Sequence, residues 1–333
     1  MKVRTMSKKT LGITVVILGF LIFMVFILAD VIGASQSANR FGYKQIIGVI
    51  VGLLILVVGV VIYWRGEEFL PVTTDRMGKG FGWLKWPVRA VVLVAVLLLG
   101  PLGVLAFGDL DLDTHWKAAS RVSSGQAPDP RQEPAALVLV YGARAHNWRG
   151  AFGIHTWIAV KRRAAAQYTV YQAVGWNVYG GRPAVDVKRG PPDLLWYNAQ
   201  PQLLLEHRGQ GVDALIDHIE AAVAAYPYTN EYRVWPGPNS NTFTAFVARR
   251  VPQLGLDLPP TAVGKDYLPD GQVVDRMPSG TGWQVSLHGL LGLGLAWEEG
   301  IELNILGLAA GIDLNDLALR LPGIGSVSVF PRG

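Results

Sequence analysis

Asn239, Ser240 and Asn241 follow the turn Pro236-Gly-Pro238 and directly precede a segment with Phe243, Phe246 and Val247 at helical spacing. Small polar residues in that place face a helix amino terminus, where the first backbone N–H groups lack partners within the helix and a partial positive charge collects. Two chemistries are open to them. One is capping by Ser240 or Asn239, which contributes about 1 kcal/mol. The other is nucleophilic, with the Ser240 hydroxyl attacking an acyl carbon and the N–H of Asn241 forming part of an oxyanion hole. Serine has no useful anionic fraction near neutrality, so this second chemistry needs a general base. His155 is the candidate, with Gln172 or Asn177 holding its other nitrogen. The same histidine also reads as a structural sheet residue paired with Thr156 or a backbone carbonyl.

The elements that would position these groups are short. Leu137 to Tyr141, Ile154 to Val160 and Tyr168 to Val174 read as strands of an antiparallel sheet, by alternation and by β-branched and aromatic content. Val212 to Ala225 has helical spacing, with Val212, Leu215, Ile216, Ile219, Ala222 and Val223 on one face, and Tyr226-Pro-Tyr228 stops it. The expected fold class is α+β, a soluble domain over 136–333 with a central antiparallel sheet and two or three helices. Before it, 108–135 reads as a juxtamembrane segment and a proline-rich linker, because three prolines fall within Pro128 to Pro134.

The first third of the chain is of another kind. Apolar runs at about 11–32, 46–64 and 88–107 carry almost no charge, and helices of this length match the roughly 30 Å hydrocarbon layer of a bilayer. Residues 1–107 are therefore expected to be a membrane anchor of three transmembrane helices. Basic residues concentrate at Lys2, Arg4, Lys8 and Lys9 and again from Arg65 to Arg89, which places both segments in the cytoplasm. The expected location is a bacterial inner membrane, multi-pass, with the carboxy-terminal domain on the periplasmic side. A cleaved signal peptide fits less well, since Ala34 to Ala38 is a poor cleavage site.

Composition narrows the chemistry. With no cysteine among 333 residues, disulfides, cysteine-ligated zinc and a cysteine nucleophile are excluded. The net charge of +5 comes partly from the cytoplasmic flanks, and no basic patch interleaved with aromatic residues points to nucleic acid. No cofactor is expected: Gly280-Thr-Gly282 lacks the ending of a phosphate loop and reads as a turn into the strand Trp283 to Leu287. Glu298, Glu299, Glu302 and Asp313 lack calcium-loop spacing and histidine partners, so they read as solvated acids rather than a metal site. Gly289 to Ala296 is too short to span and reads as a core strand or a membrane-facing loop.

The order of a histidine on a strand, a polar residue on the next strand and a nucleophile opening a helix resembles the circularly permuted papain-like (NlpC-type) hydrolases, with Ser240 where those have cysteine. More specifically, Trp148-Arg-Gly-Ala-Phe-Gly-Ile-His-Thr-Trp-Ile-Ala-Val160, Val174-Gly-Trp176, Tyr226-Pro-Tyr228, Trp235-Pro-Gly-Pro-Asn-Ser-Asn-Thr-Phe243, Gly264-Lys-Asp-Tyr267, Pro278-Ser-Gly-Thr-Gly282 and Glu299-Gly-Ile-Glu-Leu-Asn-Ile-Leu-Gly-Leu308 resemble the bacterial family known as domain of unknown function 3750, over most of 114–325. That resemblance implies a bacterial membrane-anchored protein and assigns no catalytic residue. Two functions are expected. One is a serine-based amidase, peptidase or acyltransferase acting on an amide or ester of the cell envelope. The other is a non-catalytic envelope module that keeps the cleft for peptidoglycan, a peptide or a lipid.

Overall fold

The computed structural model describes residues 8–27, 43–65 and 85–328. The chain divides into two units, Met1–Val96 and Leu97–Gly333. In the first, helices α1 (Lys8–Ile27) and α2 (Tyr43–Arg65) pack as an antiparallel pair. Glycines let the backbones touch: a side-chain carbon at Gly12 would lie 2.6 Å from the Tyr63 nitrogen, and one at Gly52 would lie 2.5 Å from that of Phe23. The third helix, α3 (Lys85–Phe107), contains Pro101 and crosses the boundary between the units.

The three expected spans reduce, among the described residues, to one. Lys9–Phe26 is long and apolar enough to cross a membrane, whereas α3 contributes only the shorter apolar stretch Val92–Phe107. Sixteen residues of helix cover about 24 Å, short of the hydrocarbon thickness. The end of the first run, 28–32, the stretch Ala34 to Ala38 that argued against signal-peptide cleavage and most of the basic loop after α2 lie outside the described residues.

The fold class is α+β with antiparallel sheets. The first sheet has five strands in the order β4 (Val185–Arg189), β3 (Thr169–Ala173), β2 (Ile154–Lys161), β1 (Leu137–Arg144), β5 (Gln202–Arg208). Alternation along β1 and β2 gives the sheet two buried faces. Val138, Val140, Ile158 and Val160 pack under α5 (Val212–Ala224) and α6 (Ser240–Arg250), and Leu137, Leu139, Tyr141, Trp157 and Ala159 form a second cluster behind it. A five-residue helix, α4 (Gly175–Tyr179), follows β3.

The proline-rich segment is strapped to this sheet. The Asp193 carboxylate, buried behind the sheet, accepts hydrogen bonds from the Ser123 hydroxyl at 2.8 Å, the Ser124 hydroxyl at 3.1 Å and the Gln126 N–H at 2.7 Å. Burial alone would raise the pKa of Asp193, but these donors hold it below its ordinary value.

A second sheet was not foreseen. Seven strands form an antiparallel meander: β6 (Val274–Arg276), β7 (Gly282–Leu287), β8 (Leu291–Ala296), β9 (Gly300–Ile305), β10 (Leu308–Asp313), β11 (Ala318–Leu321) and β12 (Gly325–Ser328). The polarity of this sheet is inverted, because Gln284, Ser286, Glu302, Asn304 and Arg320 point inward and are buried while their neighbours along the strands are exposed or, for Ile305 and Leu321, half-buried. The inner face is held by charge. Arg320 donates from Nε to Glu302 at 3.0 Å and from both terminal nitrogens to Asp257 at 2.7 and 2.8 Å, and Lys265 Nζ lies 2.6 Å from Glu302.

This corrects the reading of the acidic residues. Glu299, Glu302 and Asp313 are buried: Glu299 accepts from the Ser279 N–H at 2.9 Å, and Asp313 accepts from the N–H groups of Asn315 and Asp316. No group of three or more His, Asp or Glu side chains able to hold a metal occurs among the described residues. The stretch read as a core strand or membrane-facing loop is a strand, β8, whose leucines face outward.

Candidate functional site

Asn239 is the residue that caps α6. Its side-chain oxygen accepts from the N–H groups of Asn241 at 2.9 Å and Thr242 at 3.1 Å, while the Thr242 hydroxyl takes the N–H of Asn239 at 3.1 Å, completing a capping box. The amide nitrogen of Asn239 donates in turn to the carbonyls of Val234 and Val263. Two consequences follow for the sequence expectations. Ser240 is the first helical residue and not the cap, and the Asn241 N–H already has an acceptor, so it is not a free oxyanion donor in this state.

Asn241 is spent on the sheet as well. Its side-chain nitrogen donates to the carbonyls of Ile154 and Val263, and its oxygen accepts from the Thr156 hydroxyl at 2.9 Å. Thr156 also meets Thr244 of α6 at 2.9 Å. Successive side chains of a strand point to opposite faces. With Thr156 turned toward α6, His155 points away from it, to the face that carries Trp157.

On that face His155 is held by a relay. Asp186 lies opposite Gln172 across β3 and β4 and accepts from the Gln172 amide nitrogen at 3.1 Å, which turns the Gln172 oxygen toward His155 Nε2 at 3.0 Å. An amide oxygen only accepts, so Nε2 carries the proton and Nδ1 keeps the lone pair. Burial pushes the imidazole pKa down to about 4 against the opposing pull of Gln172, leaving the ring neutral at physiological pH. Burial would raise the pKa of Asp186, but hydrogen bonds from Lys188, Gln172 and Asn177 bring it below its ordinary value.

One face of the His155 ring is covered by Trp196, stacked with centroids 3.6 Å apart and planes 6° from parallel. Trp176 of α4 stacks next, 5.6 Å from Trp196, and 42% of it is exposed. Trp196 is delivered by a tight turn whose central residues, Tyr197 and Asn198, both have left-handed backbones, with φ of 53° and 75°. Asn198 holds that turn by accepting from the Ser120 N–H at 2.6 Å and donating to Asp111 at 2.5 Å.

Comparison with known proteins adds one finding. The family model described as "Protein of unknown function (DUF3750)" matches residues 135–267. The match covers about two-fifths of the 333-residue chain, so the similarity to the DUF3750 family is confined to that segment. No curated protein and no solved structure matches the chain. The motifs Pro278 to Gly282 and Glu299 to Leu308, which also carried the resemblance, lie beyond the matched segment.

Within the DUF3750 segment the expected site residues separate into two groups. His155 and Gln172 are joined by a hydrogen bond, and Asn177 lies one step further, donating to Asp186 at 3.4 Å. Ser240 instead faces Tyr232, whose phenol pKa is raised by burial and drawn back by hydrogen bonds from the Ser240 hydroxyl and N–H. No hydrogen bond joins Ser240 to His155 among the described residues. Tyr232 packs on Gly175, where a side-chain carbon would come within 2.8 Å of its ring, so the glycine of the Val174-Gly-Trp176 motif makes room for it. Asp186, Trp196 and Tyr232 were missed by sequence reasoning. The only signal available for Trp196 was an aromatic Trp-Tyr-Asn run, which names no partner.

Proposed function

We propose that the DUF3750 segment is an envelope binding module that takes a saccharide ring of a glycan such as peptidoglycan. The supporting observation is the ordered stack His155–Trp196–Trp176, which ends in an exposed indole next to Asn177, whose side-chain oxygen is buried and has no partner among the described residues. A flat aromatic face beside an unused acceptor suits the C–H face and hydroxyl or amide donors of an N-acetylated sugar. The test titrates the full chain in detergent with an N-acetylglucosamine oligomer, read by tryptophan fluorescence. Trp176→Ala should weaken binding about tenfold, the worth of one lost aromatic stack. Absence of binding by the parent protein sinks the reading.

A serine acyl-transfer reading draws support from the fixed tautomer of His155, which leaves Nδ1 available as a base. It requires Ser240 to leave Tyr232 and meet that nitrogen. Labelling of Ser240 by a fluorophosphonate that is lost in His155→Ala would favour this reading over the module.

For location we infer an inner-membrane protein with its amino terminus in the cytoplasm and 109–333 on the far side, on the strength of the basic residues flanking the apolar runs. Alkaline phosphatase fused after Gly333 should then be active. A silent phosphatase with an active cytoplasmic reporter at the same position reverses the orientation.

A further inference from the structure

The seven-stranded sheet presents an apolar face to its surroundings. Trp283, Leu295, Ile301, Ile312, Leu319 and Val327 align across six consecutive strands in direct register, and every one of them is exposed. A second row runs parallel to it through Val274, Val285, Leu293 and Leu303, also exposed. The one charged side chain in the first row is Arg276, at the edge, with its guanidinium over the Trp283 ring at 5.6 Å. An antiparallel sheet with one free face ordinarily turns its polar residues outward. Here Glu302, Arg320, Gln284 and Asn304 are buried and the leucines are outside, a pattern that water disfavours over so wide a patch.

The position of the sheet says what covers it. Within the unit Leu97–Gly333, the turn Pro322–Ile324 between β11 and β12 packs against α3: a side chain at Gly100 would collide with the Pro322 carbonyl, and one at Gly323 would come within 2.7 Å of Pro101. Arg144 fastens the same turn by donating to the carbonyls of Gly323 and Ile324. Gly100 lies seven residues before the end of α3 at Phe107, about 10 Å down the helix axis, inside the apolar stretch Val92–Phe107. The turn therefore stands at the depth of the apolar part of α3 and not beyond its end.

We propose that the outer face of the carboxy-terminal sheet is a membrane-docking surface, lying against the hydrocarbon of the bilayer leaflet that surrounds the end of α3. The leucine, isoleucine and tryptophan rows replace water with acyl chains, and the buried ion pairs of the inner face fix the sheet to the DUF3750 segment. The sheet lies in the interface without crossing it, since its strands are only four to six residues long beyond the three-residue edge strand β6. The docking rests on the reading of the amino-terminal helices as membrane-embedded, which the experiment tests separately.

Because the chain has no cysteine, single labels are unambiguous. Leu293→Cys and Leu319→Cys report on the sheet, Leu18→Cys on α1 and Arg163→Cys on a water-exposed loop. Each full-length variant carries a nitroxide, is reconstituted in phosphatidylcholine vesicles containing a minority of phosphatidylglycerol, and is measured for collision with oxygen and with a water-soluble nickel chelate. Labels at 293, 319 and 18 should collide more with oxygen than with the chelate, and the label at 163 should show the reverse. A sheet label that behaves like the one at 163, while the label at 18 reports lipid, overturns the docking and leaves the anchor. A sheet label shielded from both reagents means that protein covers the face, a second copy included, and also overturns it. A label at 18 that reports water removes the anchor itself. Use of two sheet positions guards against one substitution disturbing the fold.

Discussion

Arg320→Met should lower the unfolding free energy by about 3–5 kcal/mol, the cost of leaving buried charges without their partner. The Arg320 side chain has no exposed surface, and its guanidinium is shared between Glu302 on the inner face of the sheet and Asp257. Burial would raise the pKa of Glu302, but Lys265 and Arg320 together hold it below its ordinary value. Its folded pKa is thus the lower one, so its contribution is complete above the unfolded value and fades as pH falls through the folded one. Denaturation of the full chain in detergent, followed by tryptophan fluorescence, gives the measurement. The matching control is Arg162→Met: that side chain is 42% exposed, pairs with Asp217 and Glu220 at 2.7 Å, and should cost no more than about 1 kcal/mol. Replacing Lys265, Glu302 and Arg320 together by Met, Leu and Met should recover part of the loss, because Glu302 no longer stays inside without its partners, while Asp257, 35% exposed, keeps access to water. Equal losses at Arg162 and Arg320 would show that the inner face is hydrated.

The second large effect is a pH dependence at His155. Its folded pKa of about 4 lies below the ordinary 6.5, so the unfolded chain binds a proton that the folded chain refuses. Stability from this group is complete above about pH 6.5 and declines as pH falls toward 4, by about 3 kcal/mol in total. His155→Gln should remove that component of the slope while leaving the remainder of the profile unchanged. Stability of parent and variant, compared at half-unit intervals between pH 4 and 7, isolates the histidine from the carboxylates that titrate in the same range. Coincident slopes would mean that the ring is solvated and that Trp196 does not close over it.

Both effects arise from residues that local patterning identifies only in part. The antiparallel strands around β1, β2 and β3 and the helix opening at Ser240 were legible, because alternation and helical spacing are set by backbone geometry. The capping chemistry at the α6 terminus was legible too, although Asn239 rather than Ser240 performs it. Strand parity decided against the serine and histidine meeting in this state. His155 and Thr156 are adjacent in sequence, and whichever of them α6 packs upon sends the other to the opposite face. Nothing local determines that choice.

The sequence by itself determined the class of the chain: apolar helices first, an α+β domain after them, no thiol chemistry, and a similarity to the DUF3750 family over 135–267. It did not reveal that the alternating leucines of 283–327 face outward, since a strict period of two states that a strand has two faces and not which one is inside. Only the tertiary structure decided that. Lys265 and Asp257, far from those strands in sequence, supply the charges that hold Glu302 and Arg320 inward, and the leucines between them are turned out as a result.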